Sequence, residues 1–215
     1  MIIGIPGWNM GPNSFGIGLT YLEFLQEVLY SSDIRILLPN TPVLTDLDLL
    51  VLPGGADINP SRYGEPPGFY TDKPDLIKEY FDVFMLPQYI EQRTPILGIC
   101  RGCQAIAVAF GGKLIQNMYH ETNKADDPYS GVHNITVADK SKKIKVNSRH
   151  HQSIRPPNDD SPIKVIATHS NNNYHVEAIK IQDYPITGVQ WHPEDLIEDS
   201  GVNYVCQLVN NIIKK

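Results

Sequence analysis

Three short runs, Ile2 to Ile5, Leu49 to Leu52 and Ile96 to Ile99, are apolar along their whole length and each stops at a proline or a cysteine. A strand with one wet face alternates polar and apolar side chains, so a run with no polar position has to be covered on both faces. Ile34 to Leu38 adds a fourth strand, and helical periods lie between the strands. Leu19, Leu22, Leu25, Val28 and Leu29 recur at helical spacing; residues 75 to 92 carry a second helix, interrupted near Pro87; a third runs from about Arg101 to Phe110 and stops at Gly111 and Gly112. Alternating strands and helices of this kind predict an α/β fold, an open and mainly parallel central sheet flanked by helices.

The second half changes character. Ile135 to Val137, Ile144 to Val146, Ile163 to Thr168, Val176 to Ile181 and Thr187 to Gln190 read as strands separated by turns, expected to extend the sheet antiparallel or to form a side ribbon. Val202 to Ile213 reads as a closing helix. No repeat, low-complexity tract or convincing linker divides the chain, so residues 1 to 215 are expected to form a single domain. The stretch from Pro53 to Pro74 is too long for a plain connector and is a candidate functional loop.

Charge narrows the range of functions. Lys and Arg number 18 against 24 Asp and Glu, a net charge of −6 with no basic cluster, which argues against a nucleic-acid partner. No apolar run reaches the roughly 20 residues that cross a bilayer, and the N-terminus lacks the basic region of a secretory signal. Three cysteines do not make a secreted disulfide scaffold. A cytoplasmic setting is expected, in which a single cysteine matters for its chemistry.

One cysteine stands out. Gly98-Ile-Cys100-Arg-Gly102 places Cys100 where a buried strand turns into a helix, the G-x-C-x-G form of a nucleophile elbow. Flanking glycines let the backbone pass at close range, while the helix N-terminus offers free N–H groups and a positive potential that favours a thiolate. Cys103 is too deep in the helix to share that geometry. Taken alone, the segment also fits a small buried hydrophobe.

A thiol nucleophile needs a base, and the base needs an acceptor that fixes its tautomer. In Gln190-Trp-His192-Pro-Glu194, Pro193 ends a strand just past His192 and Glu194 is within reach of the imidazole. Together the two segments predict a triad of Cys100, His192 and Glu194.

These segments, with Pro53-Gly-Gly55 ahead of them in the right order and spacing, resemble the class I glutamine amidotransferase-like family. Within it, the chain is most similar to the γ-glutamyl hydrolase-like branch that includes γ-glutamyl-γ-aminobutyrate hydrolases. Carrying that likeness are residues 53 to 65, Gly111-Gly-Lys-Leu114, Asn147-Ser-Arg-His150-His151-Gln152 and Glu177-Ala-Ile179. Two features depart from the branch: the interval before Pro53 is short, and Lys78-Glu79 stands near where members often carry an Arg-Asp pair.

The resemblance implies Cys100 as nucleophile, His192 as acid and base, Glu194 as its partner, and an oxyanion hole from the backbone N–H groups of Gly55 and Arg101. It also implies contact of Gln104 with a glutamyl group and puts His150, His151 and Gln152 on the substrate side, although a polar turn between strands explains those three equally. Tyr63, in the 57 to 65 loop, is a further candidate for the leaving-group pocket. The other histidines lack paired ligand spacing, so no metal and no cofactor are expected. The implied activity is hydrolysis of a small γ-glutamyl amide through a glutamyl thioester. The alternative is a glutaminase subunit that passes ammonia to a separate synthetase chain.

Overall fold

The computed structural model describes residues 1–11, 13–121, 131–138, 142–195 and 199–213. The chain begins with β1 (Ile2–Pro6), a short hairpin of β2 (Trp8–Gly11) and β3 (Ser14–Gly16), and α1 (Leu19–Glu23), which runs on as a π turn over Phe24–Val28. Next come β4 (Asp33–Leu37), β5 (Leu49–Leu52), α2 (Leu76–Tyr80), α3 (Leu86–Glu91), β6 (Ile96–Ile99) and α4 (Arg101–Ala109). Then follow β7 (Leu114–Ile115), α5 (Met118–Glu121), β8 (Gly131–Val137), β9 (Lys142–Ser148), β10 (Ser153–Ile154), β11 (Ile163–His169), β12 (Asn172–Ile181), β13 (Ile186–Val189) and α6 (Asp199–Ile213).

Nine of these strands form one sheet in the order β4-β1-β5-β6-β13-β12-β11-β8-β9. From β4 to β13 the neighbours are parallel; from β13 outward every pairing is antiparallel. The late strands therefore extend the sheet antiparallel. The all-apolar runs sit where their composition requires: β5 and β6 are buried at every position and β1 at every position but Ile2, and β13 between β6 and β12 is buried throughout as well. The outermost strand β9 instead exposes Lys142, Lys143 and Lys145 while Ile144 and Val146 point inward, as a strand with one wet face should.

The helices obey the same accounting. In α4 every residue from Arg101 to Val108 is buried, which explains its nearly uniform apolar composition. In α6 only Gly201, Val205 and Val209 are buried, one stripe at helical spacing. The expected break near Pro87 takes the form of a π turn over Phe81–Met85 between α2 and α3, directly ahead of a proline that has no N–H for the ladder.

Where open α/β sheets bind ligands is set by topology, at the carboxyl ends of the parallel strands. Here the ends of the three adjacent strands β5, β6 and β13 lead into Pro53-Gly54-Gly55, Cys100 and Gln190 to Glu194. Three segments far apart in sequence meet at one edge. The remaining fold supports that edge.

Candidate active site

Cys100 joins β6 to α4 with φ 51° and ψ −108°, a conformation that a side chain with a Cβ adopts only when its surroundings force it. The surroundings are tight backbone packing. A β-carbon on Gly98 would lie 2.6 Å from the Gly102 carbonyl group, and one on Gly102 would lie 2.1 Å from the Leu52 carbonyl oxygen. Only glycine fits at either position, so the turn closes and the thiol is lifted above the sheet. The Cys100 N–H is tied to the Val189 carbonyl at 2.8 Å, which links the elbow to β13.

His192 follows β13 by three residues and its ring faces the elbow. A β-carbon on Gly54 would lie 3.0 Å from His192 Cε1 and 3.5 Å from the Cys100 Cβ, so all three segments converge on one point. His192 Nδ1 lies 2.6 Å from Glu194 Oε1, and Glu194 is 1% exposed. Burial pulls the imidazolium down, but Cys100 and Glu194 together outweigh it and push His192 up to about 10. With Nδ1–H donating to Glu194, Nε2 is left for Cys100.

Four residues that the motif reading passed over hold this arrangement. Asn147 Nδ2 donates to the His192 carbonyl at 2.9 Å and its Oδ1 accepts from the His192 N–H at 3.0 Å, clamping the backbone on both sides. Gln190 Nε2 reaches Cys100 Sγ at 3.7 Å. The Tyr21 hydroxyl accepts from the Gly54 N–H at 2.8 Å; burial, the Glu194 charge and a bond to Glu194 keep the phenol protonated well above its usual range. Arg149, half exposed, pairs through Nη2 with Asp195 at 3.1 Å and lies 3.6 Å from Glu194 Oε1. Asn147, Arg149 and Gln190 all lay inside motifs already singled out; Tyr21 gave no signal beyond a place on an apolar helix face.

The remaining expected site residues divide into two groups. Arg101 is buried and holds Asp82 at 2.8 Å and Glu79 at 3.0 Å, while its backbone sits at the first turn of α4, facing the same edge as Gly55. His151 is partly exposed and pairs with Asp57 at 3.0 Å, a bond that raises its pKa. It borders an open groove of about 540 Å³ lined also by Tyr70, Asp72, Asn117, Tyr119, His120 and Arg149. Asp57, Asp72 and His151 lie close enough to share a cation, but Asp57 already binds His151 and the Asp72 N–H.

By contrast, Gln104, His150 and Gln152 are all at least 96% buried and bonded among themselves. Gln104 Nε2 donates to Gln190 Oε1 at 3.3 Å and lies 3.4 Å from the Gln152 carbonyl, which His150 Nδ1 also meets at 2.9 Å. Burial brings His150 down to about 4, so its ring is neutral at ordinary pH. Tyr63, expected to line the leaving-group pocket, is 7% exposed and belongs to the core cluster with Ile58, Phe81 and Tyr89. A short 3-10 turn, Pro60–Tyr63, capped by the Asn59 side chain, rolls the ring inward.

The model of one family, Peptidase C26, matches residues 34–194, three quarters of the sequence, which include Gly54, Cys100, His192 and Glu194. The chain belongs to the Peptidase C26 family. Among curated relatives, the glutamine amidotransferase-like protein YvdE of Lactococcus lactis is 35% identical over 163 residues, covering 70% of this chain and 67% of that protein. The γ-glutamyl-γ-aminobutyrate hydrolase of Escherichia coli O157:H7 is 28% identical, covering 80% and 77%. Anthranilate synthase component 2 of Saccharolobus solfataricus is 30% identical, covering 80% and 86%. A solved glutamine amidotransferase from Thermotoga maritima superposes with a TM-score of 0.67 at 13% identity, covering 100% of this chain and 98% of that one; it supports the fold alone. This C26 chain is thus an amidotransferase-type enzyme by family.

Proposed function

We propose that the protein hydrolyses the γ-glutamyl amide bond of a small γ-glutamyl compound, with Cys100 as nucleophile. The observation that carries this reading is the forced backbone of Cys100 at the foot of α4, with the buried His192–Glu194 pair converging on it. In the proposed cycle the Cys100 thiolate attacks the γ-carbonyl and the N–H groups of Gly55 and Arg101 receive the oxyanion. His192, protonated and oriented by Glu194, gives its proton to the departing amine. It then takes a proton from water, which releases glutamate from the thioester.

Similarity to a relative named as a γ-glutamyl-γ-aminobutyrate hydrolase supports the substrate class. The groove beside His151 and Arg149 offers room for the amine side. One observation favours a second reading, a glutaminase subunit supplying ammonia to a synthetase chain: the likeness to an anthranilate synthase component 2 covers 86% of that protein. Neither reading uses a metal or cofactor, and a cytoplasmic location belongs to the proposal; among the described residues no helix is long and apolar enough to cross a membrane.

Glutamate release from glutamine and from a panel of γ-glutamyl amines, measured on this chain alone, tests the choice. The hydrolase reading expects some amine to exceed glutamine in kcat/KM by at least about tenfold, roughly 1.4 kcal/mol of transition-state binding. Glutamine as the best substrate, with activity rising sharply on addition of a synthetase chain, would establish the second reading instead.

A further inference from the structure

Lys78 lies on α2, is 5% exposed, and its Nζ has no hydrogen-bond partner among the described residues. Its stem runs directly behind the loop that follows β5: a β-carbon on Gly55 would lie 2.5 Å from Lys78 Cε and 3.2 Å from Nζ. On the other side, Nζ sits 4.4 Å from the centroid of the Trp8 ring. This is a buried amine packed against Gly55, the residue after Gly54, whose own position borders His192 and Cys100.

The charged and titratable groups around it are otherwise engaged. Asp75, at the start of α2, accepts from the Ile77 and Lys78 N–H groups. Asp82 holds Arg101 at 2.8 Å, and Glu79 holds Arg101 at 3.0 Å. Burial and repulsion from Arg101 bring the Lys78 ammonium down to about 7, against the pull of Asp75, Asp82 and Cys100. A buried charge with no counter-ion is costly to keep. A methionine would fill the same space against Trp8 at no such cost, so packing does not explain the amine.

In the proposed cycle a negative charge develops at the Gly55 N–H when the carbonyl is attacked. We propose that Lys78 is a positioning residue for the reaction, supplying through the Gly55 backbone the positive charge that steadies the oxyanion formed on attack by Cys100. The inference rests on the reading of Cys100 as nucleophile and holds for an amide hydrolase and a glutaminase alike. In the step concerned the Sγ–C bond forms and the carbonyl π pair moves onto oxygen; Nζ keeps its proton throughout. Collapse returns the pair to the carbonyl as the C–N bond breaks and His192 protonates the amine.

The consequence is a titration in catalysis that belongs to neither Cys100 nor His192. kcat/KM reports groups of the free enzyme, and its profile for γ-glutamyl-p-nitroanilide between about pH 5.5 and 9 should fall by about tenfold around pH 7 to a lower plateau. Alkylation of Cys100 by iodoacetamide, which forms no oxyanion, should show no matching fall. Lys78→Met should sit on the lower plateau at every pH, with its circular dichroism unchanged, and Lys78→Arg should restore the rate at high pH. Should Lys78→Met fail to fold, Lys78→Gln replaces it, and the wild-type profile decides unaided. A flat wild-type profile from pH 6 to 9, or a folded neutral variant with the wild-type rate at pH 6, overturns the inference. Cys100→Ala run on the same substrate separates the two levels: if it stays active, the reading of the nucleophile fails, whereas its inactivity beside a flat wild-type profile removes Lys78 alone.

Discussion

Glu194 Oε1 reaches His192 Nδ1 at 2.6 Å across a single intervening residue, Pro193, so the rigidity of one proline sets the relation of base to acid. In the proposed cycle the carboxylate orients the ring and balances its charge without touching substrate. Glu194→Gln is accordingly expected to retain at least about tenfold more activity than His192→Ala or Cys100→Ala, since the orienting acid of a coupled triad costs less than its partners. Steady-state rates for the three variants check this. A Glu194→Gln enzyme as dead as Cys100→Ala, yet folded, would assign the carboxylate more than orientation.

Only one of the three thiols occupies the elbow. Cys103 is fully buried, and its thiol is pushed well above its usual range by burial; Cys206 is partly buried on α6. Cys100→Ala should abolish turnover, while Cys103→Ala and Cys206→Ala should keep it within about threefold and lose only the stability of a small apolar deletion, about 1 kcal/mol. Comparable inactivity in a folded Cys103→Ala enzyme would move the nucleophile.

The elbow also makes a steric prediction. Gly102→Ala drives a methyl group to 2.1 Å from the Leu52 carbonyl oxygen, which is backbone and cannot rotate away. Thermal unfolding should show a loss at or beyond the upper end of the usual 1–3 kcal/mol for overpacking, roughly 3 kcal/mol, with activity lost in parallel. Wild-type stability in Gly102→Ala would mean that β5 and α4 are less tightly joined than the geometry requires.

Glu177 is fully buried on β12 and meets His133 Nε2 at 3.1 Å. Burial raises its pKa, but the bond to His133 and the nearby His150 and His169 outweigh it and hold the carboxyl below the usual range. A folded-state pKa below the unfolded one contributes stability above the unfolded value and loses it as pH falls through the folded value. Glu177→Gln should therefore be destabilised by about 3 kcal/mol near neutrality, the scale for removing one partner of a buried pair, and the gap should close below about pH 4. Urea titrations at several pH values decide it; a gap that widens on acidification would reverse the sign.

If the groove beside His151 takes the amine side of the substrate, trimming its wall should change selectivity before it changes chemistry. His151→Ala and Tyr70→Ala are expected to reduce kcat/KM for a large γ-glutamyl amine by about tenfold while glutamine hydrolysis moves less than about threefold, a difference near 1 kcal/mol. Equal losses on both substrates would place the leaving group elsewhere.

The strands that make the site were legible because burial on both faces leaves an apolar run that no half-wet strand carries, as β5 and β6 show. The convergence of Cys100, His192 and Glu194 was legible because glycine and proline each restrict the backbone in a way that few other roles demand. The burial of Tyr63 was not legible, for the opposite reason: its loop is rich in turn residues, and a capped 3-10 turn can carry an aromatic ring inward as easily as outward. The β2–β3 hairpin was missed because Trp8 to Gly11 shows no apolar alternation, and Lys78 because a lysine in an amphipathic helix is ordinarily solvated. Those placements depend on what packs above the helix, which local pattern does not encode.

Because β13 is inserted between β6 and β12, the thiol and the imidazole are neighbours in space but 92 positions apart along the chain. During synthesis Cys100 leaves the ribosome long before His192, and before the Val189 carbonyl that its N–H bonds in the finished fold. The nascent protein then holds the cysteine without the strand that anchors its turn and without the imidazole beside it, and both arrive together when β13 slots between β6 and β12. If Cys100 is the nucleophile, the order of assembly withholds its reactivity until almost the whole sheet stands.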